Sequence, residues 1–538
     1  MPLYLLNGEK SIIEEDFTKK LHYVFSSNNV HGGLSEGVKF NSAGVTEFFQ
    51  TLPQKNLHLV THLILAEYPF AQLSFANIVT LITGLTQLPL PNLKSINLRY
   101  NNFGNLAPES LAAFFSGLAT LKNLKHIDLG RNNLGNLNPQ SLTALCEGLS
   151  TLAHLKYIDF TDNSFNNLAP KNLTAFFKSL STLQHLESID LDGNNFGNLT
   201  SERFTALCEG LSTLAHLKYI DFTDNSLNNL EPKNLTAFFK SLSTLQHLES
   251  IDLCANNLGN LTVEGLTALC ESLSTLKRLK CIRVRGTNLD NLPSKRLTAF
   301  FRSLAALQHL ESIDFSGNSF GNLEPERFTT LCQGLSALEG LKCVKACSND
   351  FDNLAPASLT AFFNSLATLK NLESLGFSCN NLGKLTPERL TAVCNGLSTL
   401  EHLESVDLTA NELGNLSVEG LTDFFRCLST LKKLTSIDLS FTGLSKLSVQ
   451  NFALVIKPLG ESSSLIEIKY NVGDLAKERI LALLNICHMN LEIALLKRID
   501  IRGSDSPAHF TSYGVGSSGS TSSNNNSYSN QRTTTSPH

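Results

Sequence analysis

The sequence predicts an α/β fold: one solenoid in which a short strand–turn–helix unit is copied about twelve times. Three observations carry this. One leucine column recurs at Leu93, Leu124, Leu155 and so on to Leu434, twelve copies at one fixed spacing without an insertion. Each copy changes its hydrophobic period at the same place, from two near its start to helical spacing in its second half. The palette is narrow, with no Trp, two Met, nine Tyr and 33 Phe in 538 residues. Length alone would divide such a chain into roughly three or four domains; the repeat makes them one.

Taken in order, residues 1–59 read as an N-terminal cap, a worn repeat around Gly37-Val38-Lys39-Phe40 and Val45 to Leu52. Residues 60–92 form a first divergent repeat, and 93–464 hold the twelve regular units. Residues 465–502 are a C-terminal cap, since the end units must cover a core face that has no neighbour. Residues 503–538 are Ser, Thr, Asn and Gly with almost no aliphatics, a composition that predicts disorder. Within the unit Leu93–Asn123, Ile96 and Leu98 alternate with polar Asn97, giving a short strand with one buried face. Asn101 follows, in a column that is Asn in ten of twelve units and Thr at Thr287 and Thr442. Its amide can satisfy backbone groups that the turn would otherwise bury unpaired. Pro108 stands in a column that is Pro in seven units and suits the first helical position. Leu111, Phe114, Phe115, Leu118 and Leu121 then form one apolar helical stripe.

A second period, two units long, overlies the first. The paired helix residues alternate between Phe-Phe (114/115, 176/177, 238/239, 300/301, 362/363, 424/425) and Leu-Cys or Val-Cys (145/146, 207/208, 269/270, 331/332, 393/394). Large next to small in successive layers lets stacked helices interdigitate. Residues 154–191 and 216–253 differ only at Phe165/Leu227 and Ala169/Glu231, which points to expansion by two-unit blocks.

The unit, LxxIxLxxNxF followed by a helix, resembles a leucine-rich repeat of the ribonuclease-inhibitor-like class. The likeness covers roughly residues 60–475. It implies a right-handed leucine-rich-repeat solenoid (horseshoe), with parallel strands on the concave face and helices on the convex face. The strict repeat length with its NL and LTAFF segments also resembles leucine-rich-repeat effectors that intracellular bacterial pathogens secrete. That resemblance implies virulence and work inside a host cell.

Composition excludes several classes of function. Net charge is −5, with 43 Lys and Arg against 48 Asp and Glu, so no basic excess drives nucleic-acid binding. Met1 to Ile13 lack the basic lead and long apolar core of a secretory signal. The apolar run Ile480 to Leu496 is broken by Asn485, His488, Asn490 and Glu492, as suits a capping helix rather than a membrane span. The twelve cysteines show no CxxC pair, and five of them, Cys146, Cys208, Cys270, Cys332 and Cys394, recur in alternate units inside the helical stripe. They read as small buried hydrophobes in a reducing, cytosolic setting. The recurring turn histidines, His154, His185, His216, His247, His309 and His402, read as inherited consensus, so no metal and no cofactor are expected. No P-loop, GxGxxG, GxSxG or HExxH pattern is present, and the chain is expected not to be an enzyme.

Candidate binding residues lie between the buried strand positions. The Asn97 column continues as Asp128, Asp159, Asp190, Asp221 and Asp252, then Arg283, Asp314, Lys345, Gly376, Asp407 and Asp438. Strands about 4.8 Å apart make five consecutive aspartates a ladder of like charge. Either they bond to neighbouring hydroxyls as a structural feature, or they form an acidic strip that a basic partner relieves. The ladder breaks at KRLKCIRVR, which places Lys280, Arg283 and Arg285 on the inner face, with Lys342 and Lys345 two units on. This is either a solvated run of charge or a partner contact. Tyr157 and Tyr219 project beside Asp159 and Asp221, and Tyr is a favoured interface anchor. The expectation is a monomeric, non-enzymatic scaffold that binds a protein partner on its concave face. The rival reading is a regulator of a GTPase, as in leucine-rich GTPase activators that resemble the same subclass. The tail is either a solvated end or a C-terminal translocation signal.

Overall fold

A computed structural model of the chain describes residues 60–66, 70–88, 90–471 and 499–502. The expected N-terminal cap, the expected capping helix at 480–496 and the tail at 503–538 lie outside these residues. Within them, fifteen strands form a single parallel sheet in chain order, with a helix between each pair of strands from His62–Ile64 to Glu467–Asn471. The first step is slightly longer than the rest: His62 pairs with Ser95, whereas Ser95 pairs with His126 and His126 with Tyr157. The repeat register then runs unbroken and continues into the expected C-terminal cap, where Ile468 pairs with Ile499. Strands line one face and helices the other, so the α/β solenoid expected from the sequence is the observed fold.

The unit folds for the reasons its residues imply. In Ser95–Asn97 only Ile96 is buried, and its neighbours face outward. The chain then turns through left-handed residues, as at Tyr100 (φ 59°) and Asn102 (φ 56°). A short 3-10 turn follows at Phe103–Asn105. The helix opens with Pro108 at its first position and runs to Leu118. Two of the helices that lack this proline are capped by a side chain, Ser201–Leu211 by Thr200 and Val418–Ser429 by Ser417.

The asparagine column is the internal spine. Asn163 Nδ2 donates to the carbonyls of Leu129 (2.9 Å) and Phe160 (3.0 Å). Its Oδ1 accepts from the N–H groups of Asn132 (3.1 Å) and Leu134 (3.2 Å). One amide thus meets backbone groups in its own unit and in the preceding one, and Asn132, Asn163, Asn194, Asn225 and Asn256 are all fully buried. Thr287 keeps part of this with one hydroxyl, shared between Val284 O (2.7 Å) and Asn318 Oδ1 (3.2 Å).

The core runs along the whole described solenoid as one cluster. Phe176 lies 5.1 Å from Phe160, 4.8 Å from Phe165 and 5.4 Å from Phe177, ring centre to ring centre. The large–small alternation holds, and it involves a glycine that the pairs alone do not reveal. A Cβ on Gly148 would stand 2.4 Å from the Cβ of Phe115. After four of the Phe-Phe pairs the facing position is Gly148, Gly210, Gly334 or Gly396, and the helices approach there because it carries no side chain.

Candidate binding surface

Three outward rows make up the strand face: the first strand residue, the third, and the residue two beyond. The third-residue row brings Asp128, Asp159, Asp190, Asp221 and Asp252 side by side, each paired in register with the next. Arg283 follows Asp252, and Lys345 lies between Asp314 and Gly376.

Each aspartate folds back on its own chain. One carboxylate oxygen accepts the N–H two residues on: Gly130 on Asp128 (3.0 Å), Thr161 on Asp159 (2.8 Å), Asp192 on Asp190 (3.0 Å), Thr223 on Asp221 (2.8 Å) and Cys254 on Asp252 (3.0 Å). Hydroxyls add to this. Tyr219 donates to Asp221 Oδ2 at 2.7 Å, and Thr223 to Asp252 Oδ1 at 3.0 Å. Hydroxyl bonds thus reach Asp221 and Asp252, while backbone N–H groups meet all five aspartates.

These bonds do not cancel the crowding. Burial, then the neighbouring Asp159 carboxylate, pushes Asp128 up to about 7. Burial, then Asp221 and Asp159, pushes Asp190 up to about 8. Asp192, in the adjoining row, is pushed up to about 7 by burial and by Asp221. Asp221 is raised by burial and by Asp252. Near neutral pH the strip therefore holds protons that ordinary carboxylates would have lost.

An arginine closes each end of the strip. Arg99 places Nε 3.6 Å from Asp128 and Nη1 3.6 Å from Asp159. Arg283 places Nη1 3.5 Å from Asp252, with its guanidinium carbon 5.9 Å from the centre of the Tyr219 ring. On both side chains a buried nitrogen, Arg99 Nε and Arg283 Nη1, has no hydrogen-bond partner among the described residues. Sequence reasoning does not single out Arg99. The signal for it is Gly130, where a Cβ would come within 2.7 Å of Arg99 Nε.

The basic residues do not share one row. Lys280 stands just before its strand, and its Nζ bonds Glu249 at 2.8 Å. It belongs to a row of alternating charge that sequence reasoning missed: Lys156 and Lys218 flank Glu187 at 3.0 and 3.3 Å, and Lys342 meets Glu311 at 3.2 Å. The signal was a position alternating between Lys and Glu from one unit to the next. Arg285 and Lys345 are exposed. Beside Arg285, the left-handed corners at Gly286 (φ +61°) and Gly317 (φ +66°) carry no side chain, and a Cβ on Gly286 would meet nothing within 4 Å.

Tyr157 is half-buried, and burial followed by Asp159 drives its phenol well above the ordinary range. Elsewhere on the rim, Arg131 pairs with Asp162 at 2.7 Å and lies 5.1 Å from the Tyr100 ring centre. The turn histidines meet in twos, His154 stacked on His185 (6.2 Å) and His216 tilted against His247 (6.4 Å). Among the described residues no group of His, Cys, Asp or Glu is placed to hold a metal ion, and no helix is long and apolar enough to cross a membrane.

Known proteins give a consistent picture of the repeat. The leucine-rich repeat family model matches residues 92–114, 123–145 and 309–331. It names the repeat as such and not the ribonuclease-inhibitor-like subclass. No curated protein matches the chain. Among solved structures, the leucine-rich repeat-containing protein LegL7 of Legionella pneumophila is 19% identical, with a TM-score of 0.43, over 60% of this chain and 93% of its own. A leucine-rich repeat protein of Leptospira interrogans is 18% identical, with a TM-score of 0.33, over 77% of this chain and 97% of its own. A strand, an asparagine turn and a helix in strict register, with family-model matches in three of the copies, make this a chain of leucine-rich repeats.

Proposed function

We propose that the chain is a non-enzymatic scaffold that binds a partner protein across its strand face, with contact centred where the acidic row gives way to Arg283. One observation carries this reading. At that point Arg283, its buried Nη1 3.5 Å from Asp252, breaks the acidic row, beside exposed Arg285 and a rim opened by Gly286. A carboxylate on the partner would meet exposed Arg285 beside it in a charge-assisted bond. Lys345 extends the basic patch, and Lys280 stands at its edge, held by Glu249. On the other side, Asp128 to Asp252 with Tyr157 and Tyr219 would receive a basic segment of the same partner. A preformed surface of this kind loses little entropy on binding.

The chain is proposed to act as a monomer inside a host cell, a reading supported by the style of its repeat. Proximity labelling in a eukaryotic cell expressing the full chain identifies the partner. Arg283→Glu with Arg285→Glu is expected to leave circular dichroism unchanged and to weaken capture of that partner at least about tenfold, the loss of one or two charge-assisted contacts. Unchanged capture sinks the site assignment. Faster GTP hydrolysis by a captured GTPase would favour the regulator reading over passive binding.

A further inference from the structure

Helices of successive units touch at an offset two positions longer than the repeat. A Cβ on Gly148 would lie 2.4 Å from Phe115 Cβ, on Gly210 2.5 Å from Phe177 Cβ, and on Gly396 2.3 Å from Phe363 Cβ. Side chains at this offset therefore spring from nearly the same place. In the alternate helix pairs the same offset sets a cysteine against a serine, with thiol and hydroxyl in hydrogen-bonding reach. These are Cys146 with Ser179, Cys208 with Ser241, Cys270 with Ser303 and Cys332 with Ser365. The fifth pair departs from the pattern, because Cys427 takes the place of the serine opposite Cys394.

The Cys427 thiol donates to the Cys394 carbonyl at 2.8 Å, which leaves its sulfur beside the Cys394 thiol, close enough for each to shift the other. Both residues are half-buried, so a small reagent can reach them. Ser272 bonds the Phe239 carbonyl in the same way, so the approach is a property of the register and not of one helix. Disulfides need Cβ atoms about 3.5–4.5 Å apart, and the thiol–carbonyl bond sets the Cys427 sulfur directly against Cys394.

We propose that Cys394 and Cys427 are a redox-responsive pair that closes into a disulfide between helices Pro387–Leu397 and Val418–Ser429 on meeting a low-molecular-weight disulfide such as oxidised glutathione. Cys427, whose sulfur lies against the Cys394 backbone, attacks first; its neighbour Cys394 pulls its thiol down and is itself pushed up. Its sulfur attacks one sulfur of the glutathione disulfide, and the other leaves as glutathione thiolate, which takes up the proton Cys427 released. The Cys394 thiol then loses its proton and attacks the mixed disulfide at Cys427, expelling the second glutathione. Two protein thiols are oxidised, one small disulfide is reduced to two thiols, and no other reactant is consumed. The bond would staple two neighbouring units of the array, whose stability rests on contacts between neighbours.

The test treats the full chain with oxidised glutathione and maps its disulfides by mass spectrometry without reduction. A Cys394–Cys427 crosslink with loss of about 2 Da, the two hydrogens given up, is expected to dominate. Hydrogen exchange across 387–460 is expected to slow by about tenfold or more on oxidation. Neither change is expected in Cys427→Ser, which restores the serine of the other four pairs; Cys394→Ser serves as the second variant should the first fold poorly. A glutathione adduct that persists on either cysteine, two free thiols, or a different crosslink in the majority overturns the proposal.

Discussion

The strand face falls into two stretches built on one backbone. From Asp128 to Asp252 the third-residue row is a run of five carboxylates; from Arg283 to Gly376 it reads Arg, Asp, Lys, Gly. Beneath both, Ile158, Ile189, Ile220, Ile282, Ile313 and Val344 are buried alike, and the register does not shift between them. The two stretches differ most where side chains meet solvent, and in the spine only at Thr287. Burial fixes the inward columns, because changing one leaves a cavity or an unmet backbone group. The outward rows are free to vary, so recognition is sought there.

The largest effect expected from this comparison lies in the spine and not in the charges. Asn225, under the acidic stretch, donates to Leu191 O (2.9 Å) and Thr223 O (3.0 Å) and accepts from Phe196 N (3.3 Å). Asn225→Ala strands these groups in the core and is expected to cost about 3 kcal/mol or more, at about 1–3 kcal/mol for each. Thr287, at the border of the two stretches, bonds through one hydroxyl, and Thr287→Ala is expected to cost about half as much. Urea unfolding of the two variants checks the order. Equal losses would mean that the threonine unit is no weaker a link than its neighbours.

The next effect separates the stretches by pH. Asp128, Asp190 and Asp192 sit at about 7, 8 and 7 in the folded chain, above the ordinary value of about 4. A carboxyl with a raised folded pKa binds more protons folded than unfolded. Its contribution is therefore full below about pH 4 and is lost as pH rises through about 7 to 8. Hydrogen exchange, corrected for its intrinsic pH dependence, is expected to show the strands from Asp128 to Asp252 loosening between about pH 5 and 8 relative to Ser312–Lys345. Asp190→Asn should flatten that difference. A profile equally steep in both stretches would refute the crowding of the acidic row.

What was legible in the sequence was what repeats. The asparagine column, the Phe pairs and Pro108 each recur with one physical meaning, so position in the unit sufficed to place them. Arg99 was hidden because its column reads Arg, Gly, Thr, Asp in successive units. Its role comes from a side chain long enough to span two strands over Gly130, a fact of three dimensions. Lys280 stands close to Arg283 in the chain, and nearness in sequence groups them. Just before the strand the strict alternation has not begun, and the lysine turns to Glu249 instead. Cys427 is obscure for a related reason: its meaning depends on Cys394, which lies two positions further back than one repeat.

The smallest expected effect belongs to that alternating row, and it serves as the control for the rest. Glu187 stands between Lys156 and Lys218, and all three side chains are substantially exposed. Pairs of this kind contribute roughly 0–1 kcal/mol because water and salt screen them. Glu187→Lys is therefore expected to change the stability read from urea unfolding by no more than about 0.5 kcal/mol, and less still in high salt. The row continues through Glu249 and Lys280 to Glu311 and Lys342, so it runs alongside both stretches and distinguishes neither. Partner capture by Glu187→Lys should match the parent while Arg283→Glu with Arg285→Glu loses it. If both fall together, recognition reads the edge of the sheet as well as its face, and Lys280 would join Arg283 in the contact after all.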